Sequence, residues 1–186
     1  MPAGRQGSFG VPADEHLHQK RCRSKILQRF FICAETEKPM TTFSTSREIP
    51  ATAEQIFAAF SHPERLSRWW GPAGFTNTFS VCEFKNGGRW SFIMHGPDGR
   101  NYKNESVFAE IEHPRKIVVQ HISGPKYRLT ILLASSAVGT VVSWSQTVES
   151  SEVASRIKHI VVPADEQNLD RLSVEVLRQS ASPFFV

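Results

Sequence analysis

Between residues 74 and 148 the sequence alternates short apolar-rich runs with turn-forming residues, and this pattern constrains the fold most. Asn86-Gly87-Gly88 separates Val81–Phe84 from Trp90–Met94, and an Asn-Gly pair supplies the positive φ angles of a two-residue hairpin. Pro97-Asp98-Gly99 predicts the next turn, because proline presets φ and glycine accepts the strained position. No crossover helix fits between these runs, so the predicted sheet is antiparallel.

Two short helices are expected between the first strand and this series. Thr42–Ile49 alternates as a strand does, and Pro50 ends it. Thr52 is a candidate N-cap, since Gln55 stands three residues later and completes a capping box. A second short helix is predicted over Glu64–Trp70, stopped by the following Gly-Pro pair.

A longer amphipathic helix is predicted near the C-terminus, over Glu166–Gln179, with Pro163 suited to its first position. The expected order is therefore a strand, two short helices, about six strands and a long helix, which is an α+β fold. The residues expected to be buried are Leu169, Leu172, Val176 and Leu177. Those expected to face water are Asp170, Arg171, Glu175 and Arg178.

Charge and composition divide the chain into two parts. Residues 1–39 have seven Lys/Arg and four Asp/Glu, and their Gly- and Pro-rich start predicts a disordered or loosely attached basic extension. Residues 40–186 have fifteen and fourteen, and they are expected to form one nearly neutral domain. Because nucleic-acid binding needs a basic face, we expect no nucleic-acid partner.

The three cysteines, Cys22, Cys33 and Cys82, are widely spaced and odd in number. This spacing predicts neither a disulfide framework nor a zinc site, and free thiols fit a reducing cytoplasm. There is no run of roughly eighteen apolar residues, so no transmembrane helix is expected. We also expect no cofactor and no bound metal.

Strand periodicity places large apolar side chains on one face of the predicted sheet. Such a wall suits a lipid-like or aromatic ligand, but periodicity alone fits a filled core equally well. Likewise, the adjacent Trp69 and Trp70 fit either two packing residues or one packing residue and one at a cavity mouth. Polar residues on this face are Asn104, His121 and Gln146, and each needs a partner if it is buried.

Signatures of known catalytic classes are missing from the sequence, including the nucleophile elbow, the zinc-protease helix motif and the phosphate loop. One enzymatic alternative remains, in which His121 acts as acid or base with help from Asn104 or Tyr127. A lone inward histidine is more often a core residue whose nitrogens are already hydrogen-bonded.

Several short motifs resemble one family when they are taken together. They are Ser46–Ala51, Ile56-Phe57, His62–Leu66, Trp69–Pro72, Gly87–Trp90, Met94–Gly99, Glu110-Ile111 before Pro114, and Glu166–Leu172. In combination, over about residues 42–180, they resemble the AHSA branch (activator of heat-shock-protein ATPase homologue-like) of the SRPBCC, or START-like, superfamily. The resemblance implies a helix-grip fold, in which a curved antiparallel sheet wraps around the long C-terminal helix and leaves a cavity.

The resemblance and the apolar faces together favour non-enzymatic binding of a small hydrophobic or aromatic molecule. The expected cavity wall consists of Trp70, Phe75, Trp90, Phe92, Met94, Phe108, His121, Tyr127, Leu129 and Trp144. Asn104, His121 and Gln146 are expected to orient the ligand. The alternatives are a cyclase- or hydratase-type enzyme, since relatives include polyketide cyclases, and a module that modulates a chaperone ATPase. If the fold leaves an edge strand unpaired, a homodimer formed through that strand is expected.

Overall fold

A computed structural model describes residues 40–180 of the chain. The chain divides into two units, residues 1–37 and residues 38–186. The extension expected over residues 1–39 lies outside the described residues. The second unit contains the whole of the predicted domain.

The described residues form one seven-stranded antiparallel sheet and three helices. In chain order these elements are β1 Thr41–Ile49, α1 Ala53–Ser61, α2 Pro63–Trp69, β2 Thr76–Cys82, β3 Gly88–His95, β4 Asn101–Glu112, β5 Lys116–His121, β6 Tyr127–Ser135, β7 Thr140–Val148 and α3 Ser151–Ser180. The strand order across the sheet is β1-β7-β6-β5-β4-β3-β2. This architecture confirms the α+β helix-grip prediction, with six strands after two short helices. Within residues 40–180, no helix is both long and apolar enough to cross a membrane.

The start of α1 confirms the predicted capping box. The Gln55 amide donates to Thr52 Oγ1 at 3.2 Å, and the Thr52 amide donates to Gln55 Oε1 at 2.9 Å. These bonds satisfy two backbone donors that the first helical turn would otherwise leave free. The helix buries Ile56, Phe57 and Phe60 against the domain core.

The connection between β2 and β3 is longer than the predicted two-residue hairpin. β2 ends at Cys82 and β3 begins at Gly88. Gly87 has the positive φ expected of it, at 74°. The Glu83 amide still donates to the Arg89 carbonyl at 2.9 Å, and the Gly88 amide donates to the Lys85 carbonyl. Local turns after Cys82 therefore take the place of the tight hairpin.

The long helix α3 begins at Ser151, so the prediction that it starts near Pro163 is wrong. Proline has no amide hydrogen, and inside a helix the carbonyl four residues earlier loses its partner. That carbonyl belongs to His159, and both His159 and Pro163 are exposed to solvent. Water can replace the lost bond there, which explains how the helix continues through the proline.

The buried face of α3 also differs from the prediction at two positions. Leu169, Leu172 and Val176 are buried as expected. Leu177 is 38 % exposed, whereas Glu175, expected to face water, is only 5 % exposed. An ionised carboxylate on the buried face is costly unless charged partners accompany it.

Three arginines provide those partners for Glu175. Arg65 and Arg68 of α2 reach its carboxylate at 3.2 and 2.6 Å, and Arg178 reaches it at 3.1 Å. Burial of the carboxyl raises the pKa of Glu175, but the bonds from Arg68 and Arg65 outweigh burial, so the pKa is lowered. This charge network fixes α2 against the C-terminal half of α3.

A second set of contacts from α3 holds the loop that follows α2. The buried Asn168 accepts a hydrogen bond from the Gly71 amide at 2.7 Å, and Gln167 accepts one from the Ala73 amide at 2.9 Å. Arg171 donates to the carbonyls of Gly71 and Pro72, each at 2.7 Å. Gly71 has a φ of 98°, which other residues rarely adopt, so the chain turns sharply here. We call these contacts of Gln167, Asn168 and Arg171 the loop clamp.

We predict that Asn168→Ala lowers the free energy of unfolding by about 1–3 kcal/mol, because it leaves the buried Gly71 amide without an acceptor. Urea unfolding of the full chain measures the change. Gln167→Ala is the matched control, since the Ala73 amide it serves is exposed and water can replace the bond. Equal destabilisation by the two variants would contradict this account of the loop clamp.

Candidate functional site between the sheet and the long helix

The middle of the sheet's concave face is filled by aromatic rings. The ring of Trp90 lies 4.6 Å from that of Trp70, 4.7 Å from that of Phe92 and 5.4 Å from that of Phe108, centroid to centroid. The Trp70 ring also lies 5.6 Å from that of Trp144. Such distances are typical of packed aromatic pairs. This part of the interior is therefore a packed core.

Both adjacent tryptophans at the end of α2 are buried. Trp69 packs edge-on against Phe60 at 4.8 Å and donates from Nε1 to the Ala59 carbonyl at 3.0 Å. Trp70 is turned to the other side, toward Trp90 and Trp144. Each ring therefore packs in the core, which agrees with the interpretation of both as packing residues.

The structure brings most of the twelve predicted ligand residues together. Six of them belong to the main apolar cluster, with Met94 and Tyr127 packed against it. The six are Trp70, Trp90, Phe92, Phe108, Leu129 and Trp144. His121 and Gln146 are buried, with 3 % and 7 % of their surface exposed.

The remaining two predicted residues lie nearer the surface. Phe75 is half-buried and its ring lies 6.1 Å from that of Tyr102, which is itself 43 % exposed. Asn104 is half-buried and donates to the Tyr102 carbonyl at 2.9 Å. Both lie outside the main apolar cluster, where β4 approaches solvent.

His121 is held by groups at the connection between β5 and β6. Its Nδ1 lies 2.9 Å from the Pro125 carbonyl, which can only accept, so Nδ1 carries a proton. Its Nε2 lies 3.1 Å from Ser123 Oγ and 3.2 Å from Asn104 Oδ1. The ring also stacks on Tyr127 at 4.5 Å. Burial lowers the pKa of His121, which favours the neutral ring.

Four polar side chains lie together beside the aromatic core, and we call them the polar seam: Tyr127, Trp144, Gln146 and Asp165. Tyr127 and Gln146 project from the same face of neighbouring strands, since Tyr127 pairs with Val148 and Leu129 with Gln146. Asp165 of α3 interacts with both aromatic residues. The Trp144 side chain favours the charged form of Asp165, and the charge of Asp165 raises the pKa of Tyr127.

The polar seam separates two apolar clusters. The main cluster surrounds Trp90, and a smaller one contains Phe43, Val148 and Ala154. Tyr127 packs against both clusters. Phe43 of the smaller cluster lies opposite Gln146 in the β1–β7 pairing. The polar groups are therefore enclosed by apolar surface on two sides.

Within residues 40–180, the side chains of Tyr127 and Gln146 make no hydrogen bond to protein groups. Trp144 Nε1 is one of three buried polar atoms without a hydrogen-bond partner in that part of the chain, and the other two, Trp90 Nε1 and Asn77 Oδ1, lie outside the polar seam. The indole of Trp144 lies close enough to Asp165 to favour its charged form, but not in hydrogen-bonding geometry. Buried polar groups are almost always hydrogen-bonded to protein, water or ligand. The unpartnered indole of Trp144, beside the buried Gln146 and Asp165, marks the polar seam as the candidate site.

Burial has a large effect on the acidity of the polar seam. It raises the pKa of Asp165 to about 7, and the neighbouring Glu166 carboxylate adds to the increase, while Trp144 opposes it. Burial, together with the charge of Asp165, also raises the pKa of Tyr127. Asp165 is therefore only partly ionised near neutral pH.

A concavity of about 220 Å³ between β1 and α3 reaches Asp165 from the surface. Its other lining residues are Thr42, Phe43, Ser44, Thr45, Val162 and Glu166. Two further concavities lie elsewhere. One of about 370 Å³ lies between α2 and α3, and one of about 990 Å³ lies around Pro50–Gln55 and the β6–β7 turn. None of the twelve predicted ligand residues lines any of these three, and of the polar seam Asp165 alone lines one of them.

Sequence reasoning missed Asp165, although a signal was present. Asp165 stands four residues before Leu169, one helical turn earlier on the same buried face. The predicted helix began at Glu166, one residue after Asp165, so its buried face did not include Asp165. A carboxylate on an apolar stripe, followed by Asn168 and Glu175, indicates a helix that buries polar groups.

We predict that Asp165→Asn changes the pH dependence of stability. Because the folded pKa of Asp165 is raised, the folded state binds more protons than the unfolded state, and stability falls as pH rises from about 4 to about 7. Because Asp165→Asn removes the ionising carboxyl, the stability of the variant does not fall in this way. At pH 8 the variant is therefore more stable than the natural chain by roughly 1–3 kcal/mol, and at pH 4 the two are similar.

Urea unfolding at pH 4 and pH 8 measures this difference. Asp170→Asn is the matched control, because Asp170 lies on the same helix with its side chain 58 % exposed. The control is expected to keep the pH dependence that Asp165 imposes. If Asp165→Asn kept it as well, the assigned burial of the carboxyl would be wrong.

Comparison with known proteins identifies relatives of this architecture. Residues 50–176 match the family model described as Activator of Hsp90 ATPase homolog 1-like protein. A solved Arthrobacter aurescens protein is similar at 23 % identity and a TM-score of 0.68, over 74 % of this chain and 86 % of its own. An AHSA1-like protein from Aeromonas hydrophila is similar at 20 % identity and a TM-score of 0.63, over 78 % and 99 %.

A Nitrosomonas europaea protein is similar at 14 % identity and a TM-score of 0.68, over 74 % of this chain and 95 % of its own. These solved structures have the same fold. A search of curated proteins finds no significant match. Because the family model covers more than half of the sequence, the chain belongs to the Activator of Hsp90 ATPase homolog 1-like family, and its fold is the SRPBCC helix-grip fold.

Proposed function

We propose that this domain binds a small, mainly apolar molecule without chemical change, and that the ligand's polar group occupies the polar seam. One observation carries the proposal: the unpartnered Nε1 of buried Trp144 lies beside the buried Asp165. The sheet face that carries Trp144 also carries Gln146 and Tyr127, and neither of these two side chains has a hydrogen bond within the described residues. A family that uses the helix-grip fold provides a suitable frame for such a ligand.

The energetic argument rests on the cost of leaving these groups unpaired. A buried donor or acceptor without a partner costs about 1–3 kcal/mol. A ligand acceptor that takes the hydrogen of Trp144 Nε1 recovers part of that cost on binding, and Gln146 and Tyr127 offer further hydrogen bonds. Its apolar body gains further free energy against the adjacent rings, at roughly 25 cal/mol per Å² of apolar surface removed from water.

The proposal assigns different roles to the predicted ligand residues. Tyr127, Leu129, Trp144 and Gln146 would contact the ligand directly, because they lie at or beside the polar seam. The rings packed behind them would form a rigid wall: Trp70, Trp90, Phe92 and Phe108. Phe75, Met94 and Asn104 would lie at the margin of the interior. His121 would position Tyr127 through ring stacking.

Catalysis and chaperone modulation receive no specific support from the site. Each nitrogen of His121 already has a partner at the β5–β6 connection, so the ring is occupied in holding that loop. The family description refers to the activation of an ATPase in a homologous protein. Binding is therefore the function that the geometry supports best.

We predict that the neutral aromatic probe N-phenyl-1-naphthylamine binds the natural chain and that Gln146→Phe weakens binding at least about tenfold. The larger ring would fill the space between Phe43 and Leu129, the residues that pair with Gln146 on either side. Probe fluorescence measures binding, and native mass spectrometry of the purified protein tests for a retained ligand. Circular dichroism confirms that each variant is folded.

Ser145→Phe is the matched control, because Ser145 lies on the same strand with its side chain on the opposite sheet face, beside Ser44. It is expected to bind the probe as the natural chain does. If Gln146→Phe does not fold, Gln146→Leu replaces it and is expected to weaken binding in the same direction. Absence of probe binding to the natural chain, or equal binding by the folded Gln146 variant, would refute the proposal.

A further inference from the structure

We infer that the ligand carries a primary or secondary amine, which pairs in its protonated form with the carboxylate of Asp165. The inference rests on the proposed function, since it names the chemical class of the ligand at the same site. Its starting point is charge: Asp165 is 5 % exposed, yet no ion pair within residues 40–180 includes it. A buried carboxylate is costly unless a cation accompanies it.

The nearby protein cations are already committed to other partners. Arg47 of β1 pairs with Glu166 at 3.1 Å and also bonds Asp170. Arg171 donates to the backbone carbonyls of the loop after α2. When Asp165 is ionised, a cation that neutralises it therefore comes from outside the described residues, and a bound ligand can supply it.

The groups around Asp165 fit an ammonium better than a bare metal cation or a quaternary amine. An ammonium donates up to three hydrogen bonds, and the polar seam provides acceptors in the buried Asp165 carboxylate and Gln146 amide oxygen and in the half-buried Tyr127 hydroxyl. A quaternary amine has no hydrogen to donate, so it would leave these acceptors unpaired.

The lining of the concavity at Asp165 and the charge of its carboxylates disfavour other classes of ligand. The concavity that reaches Asp165 is lined by the carboxylates of Asp165 and Glu166 and by apolar groups of Phe43 and Val162. An anionic ligand would meet both carboxylates. A neutral alcohol would hydrogen-bond to the polar seam but leave the charge of Asp165 uncompensated. A small molecule with an amine attached to an apolar body matches both the carboxylates and the apolar groups that line the concavity.

Three probes of similar size and different charge test the inference by displacing N-phenyl-1-naphthylamine: 2-phenylethylamine, 2-phenylethanol and 3-phenylpropionate. We predict that the amine binds the natural chain at least about tenfold more tightly than the alcohol, since charge-assisted hydrogen bonds exceed neutral ones. 3-Phenylpropionate is expected to bind most weakly. Asp165→Asn should weaken amine binding at least about tenfold and change alcohol binding less than about threefold, whereas Asp170→Asn should change neither.

A second measurement does not depend on the variant folding. In a carbon-13 NMR titration of the natural chain, saturating 2-phenylethylamine should lower the pKa of the Asp165 carboxyl, because a nearby cation favours the charged form. An unchanged pKa would overturn the inference. Equal binding of the amine and the alcohol, or tighter binding of the propionate, would also overturn the inference. Either result would leave the proposed function, ligand binding, intact. If the naphthylamine probe fails to bind, the proposed function fails and the inference fails with it.

Discussion

The position of α3 against the loop after α2 is the constraint on which the rest of the domain depends. The loop clamp binds both backbone polar groups of Gly71. Asn168 accepts a hydrogen bond from its amide, and Arg171 donates one to its carbonyl. This fixes Trp70, which directly precedes the loop, against Trp90 and Trp144. One helix therefore sets both the packing of the aromatic core and the depth at which Asp165 lies.

The buried face of α3 carries two acidic residues whose pKa values are shifted in opposite directions. Glu175 has three arginines around it, and its pKa is lowered despite burial. Asp165, ten residues earlier, has no cation, and burial raises its pKa to about 7. The first acid contributes to stability as an anion, while the second reduces stability whenever it ionises. A cost of this kind is commonly retained at binding sites, where a partner offsets it.

The sequence predicted the sheet and its inward faces well, because strand periodicity and turn residues are local signals. Trp90, Phe92, Leu129 and Trp144 are buried as the alternation required. The start of α3 was missed because Pro163 resembles a helix beginning, and only the solvent exposure of that turn allows the helix to pass through it. Of the polar seam, Tyr127, Trp144 and Gln146 were predicted, but Asp165 was not, since its burial depends on how the helix lies on the sheet. Whether the interior was filled or hollow also depended on side-chain packing, which periodicity does not encode.

The most direct test is a high-resolution crystal structure of the full chain at pH 8, where Asp165 is ionised. We predict continuous density for water or a ligand in contact with the carboxylate of Asp165 and at least one of Gln146, Tyr127 and Trp144 Nε1. A dry interior would contradict the account, with Asp165 turned to solvent and apolar side chains closed over the space that it leaves.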